Sequence, residues 1–360
     1  MTFKMTEAAA EAGKLMEGAL SGDSVDKAKF LEALTTGDIT PGLLAAPLTA
    51  RVITEYEGLE DTTEGVVVRN TVDDFNLQEV YRLSFSDDSQ VLEKNNGKAR
   101  VAGTLPRVAE LGEYQTFGFS STNESYRAFK SGIKFEISWE SVINGRRLNL
   151  IERATSQMAR MARATEAAGA YEQYVSASAL SSNLATSGDV TNVLTGNPAL
   201  TADSLESALA LAATHKVNGE RVALSGAYTL LVPPTLEMTA RKILSTTEVR
   251  TTSGSKTYIS GNPLQGKFNL KVSDTLLRIN SSADNYWFII PDLSQTDGFR
   301  PELWFVRGEE TPKVFVKSTT AQDPSEGDFD HDAWATKIRH TATGVNTGML
   351  GVVASNGSGS

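Results

Sequence analysis

The stretch RLNLIERATSQMARMARATEAAGAYEQYVSAS, residues 147–178, is the longest helical pattern in the chain. Leu148, Ile151, Thr155, Met158, Ala162, Thr165, Ala168 and Glu172 recur at spacings of three and four, which puts them on one helix face. At ~1.5 Å per residue the helix is on the order of 45 Å long. Its stripe is narrow and rich in Ala and Met, and Gly169 interrupts it. So little apolar surface cannot be wrapped on all sides. The helix should lie across a sheet, with one flank exposed or kept for a neighbour. Arg146, Arg147, Arg153, Arg160 and Arg163 make it locally basic. The reading favoured is a solvated face paired with Glu152 and Glu166, over contact with DNA or acidic neighbours.

Upstream, Ile133, Phe135, Ile137 and Trp139 alternate as one apolar strand face, which Asn144-Gly145 ends. Residues 66–120 are strand-rich. Within them Lys94-Asn95-Asn96-Gly97-Lys98 carries a hairpin turn, because Asn and Gly tolerate positive φ. The arms beside this turn are too polar to form a core, so the hairpin should project from the body. Residues 1–40 read as an acidic, Ala-rich arm. Gly and Pro punctuate Gly37 to Pro47, and Leu48, Val52 and Tyr56 then mark a short helix.

Downstream, the Ser/Asn/Thr/Gly-rich residues 180–200 mark a boundary. An α/β pattern follows to about Pro312. It holds a helix around Leu205, Leu209 and Ala212 with Thr201 as N-cap, and a strand Tyr228 to Val232 stopped by Pro233-Pro234. A helix Leu236 to Leu244 comes next. Phe268 to Val272, Tyr286 to Ile290 and Leu303 to Val306 are further strands. The chain then seeks the first sheet again through Lys313–Val316, Thr336–His340 and a Gly-rich strand Asn346–Val353. Residues 356–360 read as a flexible tail.

A chain of 360 residues exceeds what one core comfortably fills, so two domains plus extended arms are expected. No run of about 18 apolar residues occurs, and the N-terminus lacks the apolar core of a signal peptide. The absence of cysteine removes disulfides and thiolate chemistry. A net charge of −10 argues against tight nucleic-acid binding, though not against enclosing nucleic acid.

Motifs for chemistry are missing. His215, His331 and His340 show no partner pattern. Asp328, Asp330 and Asp332 open like a calcium loop, but Ala333 stands where Gly is needed and Arg339 where Glu is needed. Ser225 lacks the nucleophile-elbow glycines, and no phosphate-cradling loop occurs. No catalytic residue, metal site or cofactor is therefore assigned. The expectation is a non-enzyme.

The order of elements resembles the tailed-bacteriophage major capsid proteins with the Hong Kong 97-type fold, an α+β class. Leu105-Pro106-Arg107-Val108-Ala109-Glu110-Leu111-Gly112-Glu113-Tyr114 is similar to the return limb of that family's extended loop. Lys134 to Ser138 and Val142 to Asn144 are similar to the strand entering the spine helix. Leu230 to Pro234 and Asn262 to Gly266 resemble axial-domain elements, and Asp328 to Asp330 with Lys337 to His340 the closing strands.

The resemblance implies an arm at 1–47 and an extended loop at 75–119. It implies a peripheral domain at 48–74, 120–198 and 312–355, an axial domain at 199–311, and a tail at 356–360. The implied inter-subunit residues are Lys94, Asn95, Asn96, Gly97 and Lys98 at the loop tip, with Arg147, Ile151, Met158, Met161 and Arg163 on the spine. It implies self-assembly as pentamers and hexamers into an icosahedral shell around double-stranded DNA, in a virion assembled in the bacterial host cytoplasm, with no membrane. Portal, separate scaffolding and decoration proteins are the implied partners. Some relatives cross-link a loop lysine to an asparagine. Lys94 and Lys98 sit at the tip, but the closing region offers Asp328, Asp330 and Asp332, which speaks against a cross-link.

An encapsulin-type compartment shell is the alternative within the same fold. An enzyme or carbohydrate-binding tail protein is the third reading. Trp287 and Trp304 would line its cleft, against the favoured reading that both pack in strands.

Overall fold

The structure is a computed structural model. It describes residues 7–20, 24–36, 41–85, 110–112, 119–138, 148–217, 220–222, 224–253, 256–296, 298–318 and 333–359.

Three helices open the chain: α1 (Glu7–Leu20), α2 (Ser24–Thr36) and α3 (Pro41–Gly58). Leu48, Val52 and Tyr56 are buried on one face of α3, as their spacing predicts. The helix starts earlier than expected, at Pro41, and runs through Pro47. Proline at a first helical position loses no hydrogen bond, but Pro47 does. Tertiary packing offsets that cost. Pro47 is buried, and Gly13 of α1 leaves room for its ring, since a Cβ there would stand 3.1 Å from it.

Eight strands flank the long helix in sequence. They are β1 (Val68–Val72), β2 (Leu77–Phe85), β3 (Phe119–Arg127) and β4 (Ser131–Ser138) before it, and β5 (Lys216–Val217), β6 (Glu220–Arg221), β7 (Tyr228–Val232) and β8 (Glu248–Ser253) after it. The long helix itself, α4, spans Leu148–Tyr171. It ends seven residues short of the expected Ser178 (178 − 171). Past its end Tyr174 N donates to the Tyr171 carbonyl at 3.0 Å, and the Ser176 hydroxyl accepts from the Ala179 N–H at 3.2 Å and donates to the Ala179 carbonyl at 3.1 Å. Such local bonds compete with helix propagation.

Helix α5 (Ala202–Ala212) precedes β5, α6 (Glu237–Ser245) lies between β7 and β8, and α7 (Thr275–Ile279) follows β9 (Lys256–Gly261) and β10 (Phe268–Val272) and precedes β11 (Trp287–Ile290). Thr201 caps α5 by accepting from Ser204 N at 3.1 Å, the N-cap expected from sequence. The last strands are β12 (Pro301–Val306), β13 (Lys313–Ser318), β14 (Ala333–His340), β15 (Thr343–Asn346) and β16 (Val353–Ser355).

The sheet order β10-β7-β11-β16 makes the central layer. Its two faces separate by the two-residue period of a strand. Leu231, Phe288 and Ile290 enter a core with Tyr171, Tyr174, Leu303 and Phe305. Leu230, Val232, Trp287, Ile289 and Val353 enter a second core with Leu205, Ala208 and Ala212. A sheet covered on both faces explains why Tyr228–Val232 and Trp287–Ile290 read as continuous apolar runs. A second sheet has the order β1-β12-β15, and a third β13-β14-β4. Val314 and Ile338 of the third join Met158, Ala159 and Ala162 of α4 and Val52 and Tyr56 of α3 in a third core. The mixed α+β class expected from sequence is the class observed.

Three details differ from expectation. The single strand Asn346–Val353 is two: β15 pairs with β12, and β16 pairs with β11. Gly348 (φ 153°) and Gly351 (φ 74°) carry the turn between them, in backbone that only glycine adopts freely. Residues 356–359 are tied down: Asn356 N donates to Asn197 Oδ1 at 3.2 Å, and Gly359 N to the Asn197 carbonyl at 2.7 Å. Gly169 does not break α4; it lets β15 cross it, with Gly344 N 3.1 Å from where its Cβ would be.

The Gly169–Gly344 contact yields a prediction. A Cβ on Gly344 would overlap the Gly169 carbonyl and stand 2.5 Å from Gln173 Nε2. Backbone cannot yield as a side chain can, so Gly344→Ala should destabilise by about 1–3 kcal/mol. A lowered urea midpoint checks this; an unchanged one would mean the crossing is looser than described.

Candidate assembly surfaces and the buried charge cluster

Strands β2 and β3 pair in register from Leu77–Arg127 to Phe85–Phe119. They pair with no other strand among the described residues. The base of this ribbon is fastened to the body. Arg127 Nε donates to the Phe75 carbonyl at 2.9 Å, the Tyr126 hydroxyl donates to the Asn346 carbonyl, and the Tyr126 ring meets Trp304 edge-on at 6.0 Å. Leu77 at the base is 58% exposed, a large apolar side chain left uncovered by its own subunit. The loop-tip residues Lys94, Asn95, Asn96, Gly97 and Lys98 lie outside the described residues. So do Asp328, Asp330 and Asp332, and with them the cross-link question.

On the spine, Arg147 lies outside the described residues, and Ile151 is helical with its side chain undescribed. Met158 is buried in the core shared with α3. Met161 is 38% exposed, on the flank away from it. Arg153 and Arg160 are exposed, as a solvated face requires. Arg163 departs from that reading and turns inward.

Arg163 belongs to a charge cluster centred on Glu166, whose exposure is 0%. One carboxylate oxygen, Oε2, accepts from Arg69 at 2.7 Å and from Arg163 at 3.0 Å. The other, Oε1, accepts from the Tyr56 hydroxyl and lies 2.8 Å from His340 Nε2. Asp61 supports the cluster at 2.7 Å from Arg69 and 3.9 Å from Arg163, while it accepts from the Thr63 N–H at 2.9 Å. The Arg163 guanidinium also stacks 3.8 Å from the Tyr56 ring centre. Helix α3, the 61–63 turn, β1, α4 and β14 are thus pinned at one point. A buried carboxylate survives only with such full pairing.

Burial would raise the Glu166 pKa, but the hydrogen bonds from His340 and Tyr56 and the charge of Arg69 outweigh it and hold it below the ordinary value. A depressed folded-state pKa contributes stability that is present above the unfolded value of 4.5 and is lost as pH falls through the folded one. Asp61 is depressed too: burial opposes, and Thr63 with Arg69 prevails. The protein should therefore lose stability steeply in acid. Glu166→Gln should flatten that loss, which urea midpoints at pH 7 and near pH 4 would test.

Both Glu166 oxygens are occupied and no solvent reaches them, so the cluster has no place for a substrate. His215 is structural as well: its Nε2 lies 2.7 Å from the Thr191 carbonyl, and its Nδ1 accepts from Gly351 N at 2.9 Å. Trp287 and Trp304 pack in strands, their Nε1 groups donating to the Pro198 carbonyl at 3.0 Å and Glu302 Oε2 at 2.8 Å. Among the described residues no group of three His, Asp or Glu could hold a metal ion, and no helix is long and apolar enough to cross a membrane. A groove of about 570 Å³ lies between α4 and α7. Its lining is Ala164, Ala168, Val175 and Ile279 with Glu172 and Arg278, and Arg278 is already paired to Asp274 at 2.7 Å.

A body pinned by a buried charge cluster, a two-stranded ribbon with no third strand among the described residues and apolar side chains left open suit a subunit that is completed by its neighbours. A family model described as phage capsid protein matches residues 122–351, and the chain belongs to that family. It is a capsid shell subunit, a structural protein of the bacteriophage virion. Similar solved structures include that of Mycobacterium phage Che8, at 13% identity and TM-score 0.47 over 84% of this chain and 93% of that one. The capsid of Myoviridae phage XM1 is similar at 10% identity and TM-score 0.46, over 81% and 89%. The SrpI encapsulin from Synechococcus elongatus is similar at 9% identity and TM-score 0.39, over 81% and 85%. No curated protein matches the sequence.

Proposed function

We propose that the chain is the major capsid subunit of a tailed phage, forming pentamers and hexamers that close into an icosahedral shell around double-stranded DNA. The ribbon β2–β3 carries this reading. An isolated two-stranded hairpin is marginal in water, so it gains stability by lying on a neighbouring subunit. Obligate contacts of this kind exceed ~2,000 Å² in total. The reading keeps residues 75–119 as the extended loop and 1–47 as the arm. The peripheral domain is 48–74, 120–198 and 312–355, and the axial domain is 199–311. Lys94 to Lys98 and the exposed side of α4 meet other copies. Portal, scaffolding and decoration proteins are its partners, assembly takes place in the host cytoplasm, and the subunit catalyses nothing.

The net charge of −10 supports a wall that DNA slides along without being held. Particles isolated from cells expressing the chain with its neighbouring genes should contain nuclease-protected double-stranded DNA. Particles that carry an enzyme and no DNA would instead assign the chain to a compartment shell.

A further inference from the structure

We infer that the outer face of the sheet β13-β14-β4 is a cationic docking surface for the acidic run at residues 319–332 of a second copy of this chain. The inference rests on the self-assembly reading above. The strand register assigns the face. Lys313 pairs with Arg339, Phe315 with Lys337, and Lys317 with Ala335. Across β14, Lys337 pairs with Lys134 and Ala335 with Glu136. Directly paired residues share a face, and the alternate residues Val314 and Ile338 are packed against α4. The outer face therefore gathers Lys134, Lys313, Lys317, Lys337 and Arg339.

Neutralisation of these cations is uneven. Glu309 reaches Lys313 at 2.8 Å and Arg339 at 2.7 Å, at the end of the sheet far from residue 318. Lys134 has Glu136 beside it. Lys317 and Lys337 have no carboxylate partner among the described residues. Between them lies Phe315, 36% exposed, with Lys337 Nζ 5.1 Å from its ring centre. Like charges opposite each other on a sheet destabilise it unless an anion intervenes. On a chain of net charge −10 such a patch calls for a specific acidic occupant.

The chain supplies one. Residues 319–332 read TTAQDPSEGDFDHD, with Asp323, Glu326, Asp328, Asp330 and Asp332 and no Lys or Arg. Asp328, Asp330 and Asp332 have the spacing of two that puts side chains on one face of an extended chain, and Phe329 offers an apolar contact for Phe315. A basic face on one copy that takes the acidic run of the next makes a head-to-tail contact, the kind that builds rings. Each exposed ion pair adds only ~0.2–1 kcal/mol, but a closed shell repeats the array at every contact. Salt should weaken it.

The test uses two charge-reversed chains and reads particle yield by sedimentation, with circular dichroism to establish folding. One carries Lys317→Glu and Lys337→Glu, the other Asp328→Lys and Asp330→Lys. Each alone should lose assembly about tenfold or more. Mixing the two should restore it, because the acidic run of the first then meets the basic face of the second, and the reversed run of the second the reversed face of the first. If mixing fails while all four changes in one chain succeed, the run serves its own subunit and the inference is overturned. Unchanged yield with either chain overturns it and leaves the shell reading intact, whereas a wild-type chain that forms no particles sinks both. Normal yield with reduced DNA content in the Lys317→Glu, Lys337→Glu chain would assign the face to nucleic acid, which also overturns it. Should either reversed chain fail to fold, Lys317→Gln with Lys337→Gln replaces it, with a smaller loss expected.

Discussion

Glu166→Ala should lower unfolding stability by about 3 kcal/mol, the low end of the range for breaking a buried ion pair from one side. The change strips the shared acceptor from Arg69, Arg163, Tyr56 and His340 at once. Asp61 still reaches Arg69 at 2.7 Å, which limits the loss. Tyr56 and His340 sit in the core between α3, α4 and β14 and have no water to turn to. His340 Nδ1 is already without a hydrogen-bond partner, so losing Glu166 leaves the ring unsatisfied on both sides. A second change at His340 should add little once Glu166 is gone, because members of one network are not additive. Urea midpoints of the single and double variants measure both effects. A midpoint unmoved by Glu166→Ala would show that the cluster does not pin the spine.

Replacing residues 86–118 by a two-residue Asn-Gly turn should leave the subunit folded and abolish shells. None of the β2 or β3 side chains that the structure describes enters the three cores. As the proposed extended loop, residues 86–118 are therefore expected to cost the monomer little when removed. Their contribution lies between subunits, where losing one obligate contact multiplies around the whole shell. The expected result is an unchanged urea midpoint with particle yield down by about two orders of magnitude. Shells from the shortened chain would mean that residues 86–118 are dispensable and that assembly rests on other surfaces.

The sequence was legible where periodicity was strong. Leu48, Val52 and Tyr56 marked α3, Thr201 marked the start of α5, and the narrow Ala/Met stripe foretold a long helix lying on a sheet. It was illegible where distant residues converge. Glu166 and His340 are 174 positions apart, and nothing local distinguishes Glu166 from the exposed Glu172 six residues on. Arg163 read as one more solvated arginine, because only the fold brings Tyr56 and Asp61 to it. A local rule misled at Gly169, whose role depends on Gly344 crossing above it. The same happened at Pro47, where packing against α1 overrode the punctuation. The splitting of residues 343–355 between two sheets had a signal in Gly348 and Gly351, whose positive φ marks a turn rather than a Gly-rich strand.

The most direct test of the shell assignment is electron microscopy of the purified full chain, alone and then with a scaffolding protein from the same phage. Closed shells or capsomer rings are predicted. A monodisperse monomer in every condition would contradict it.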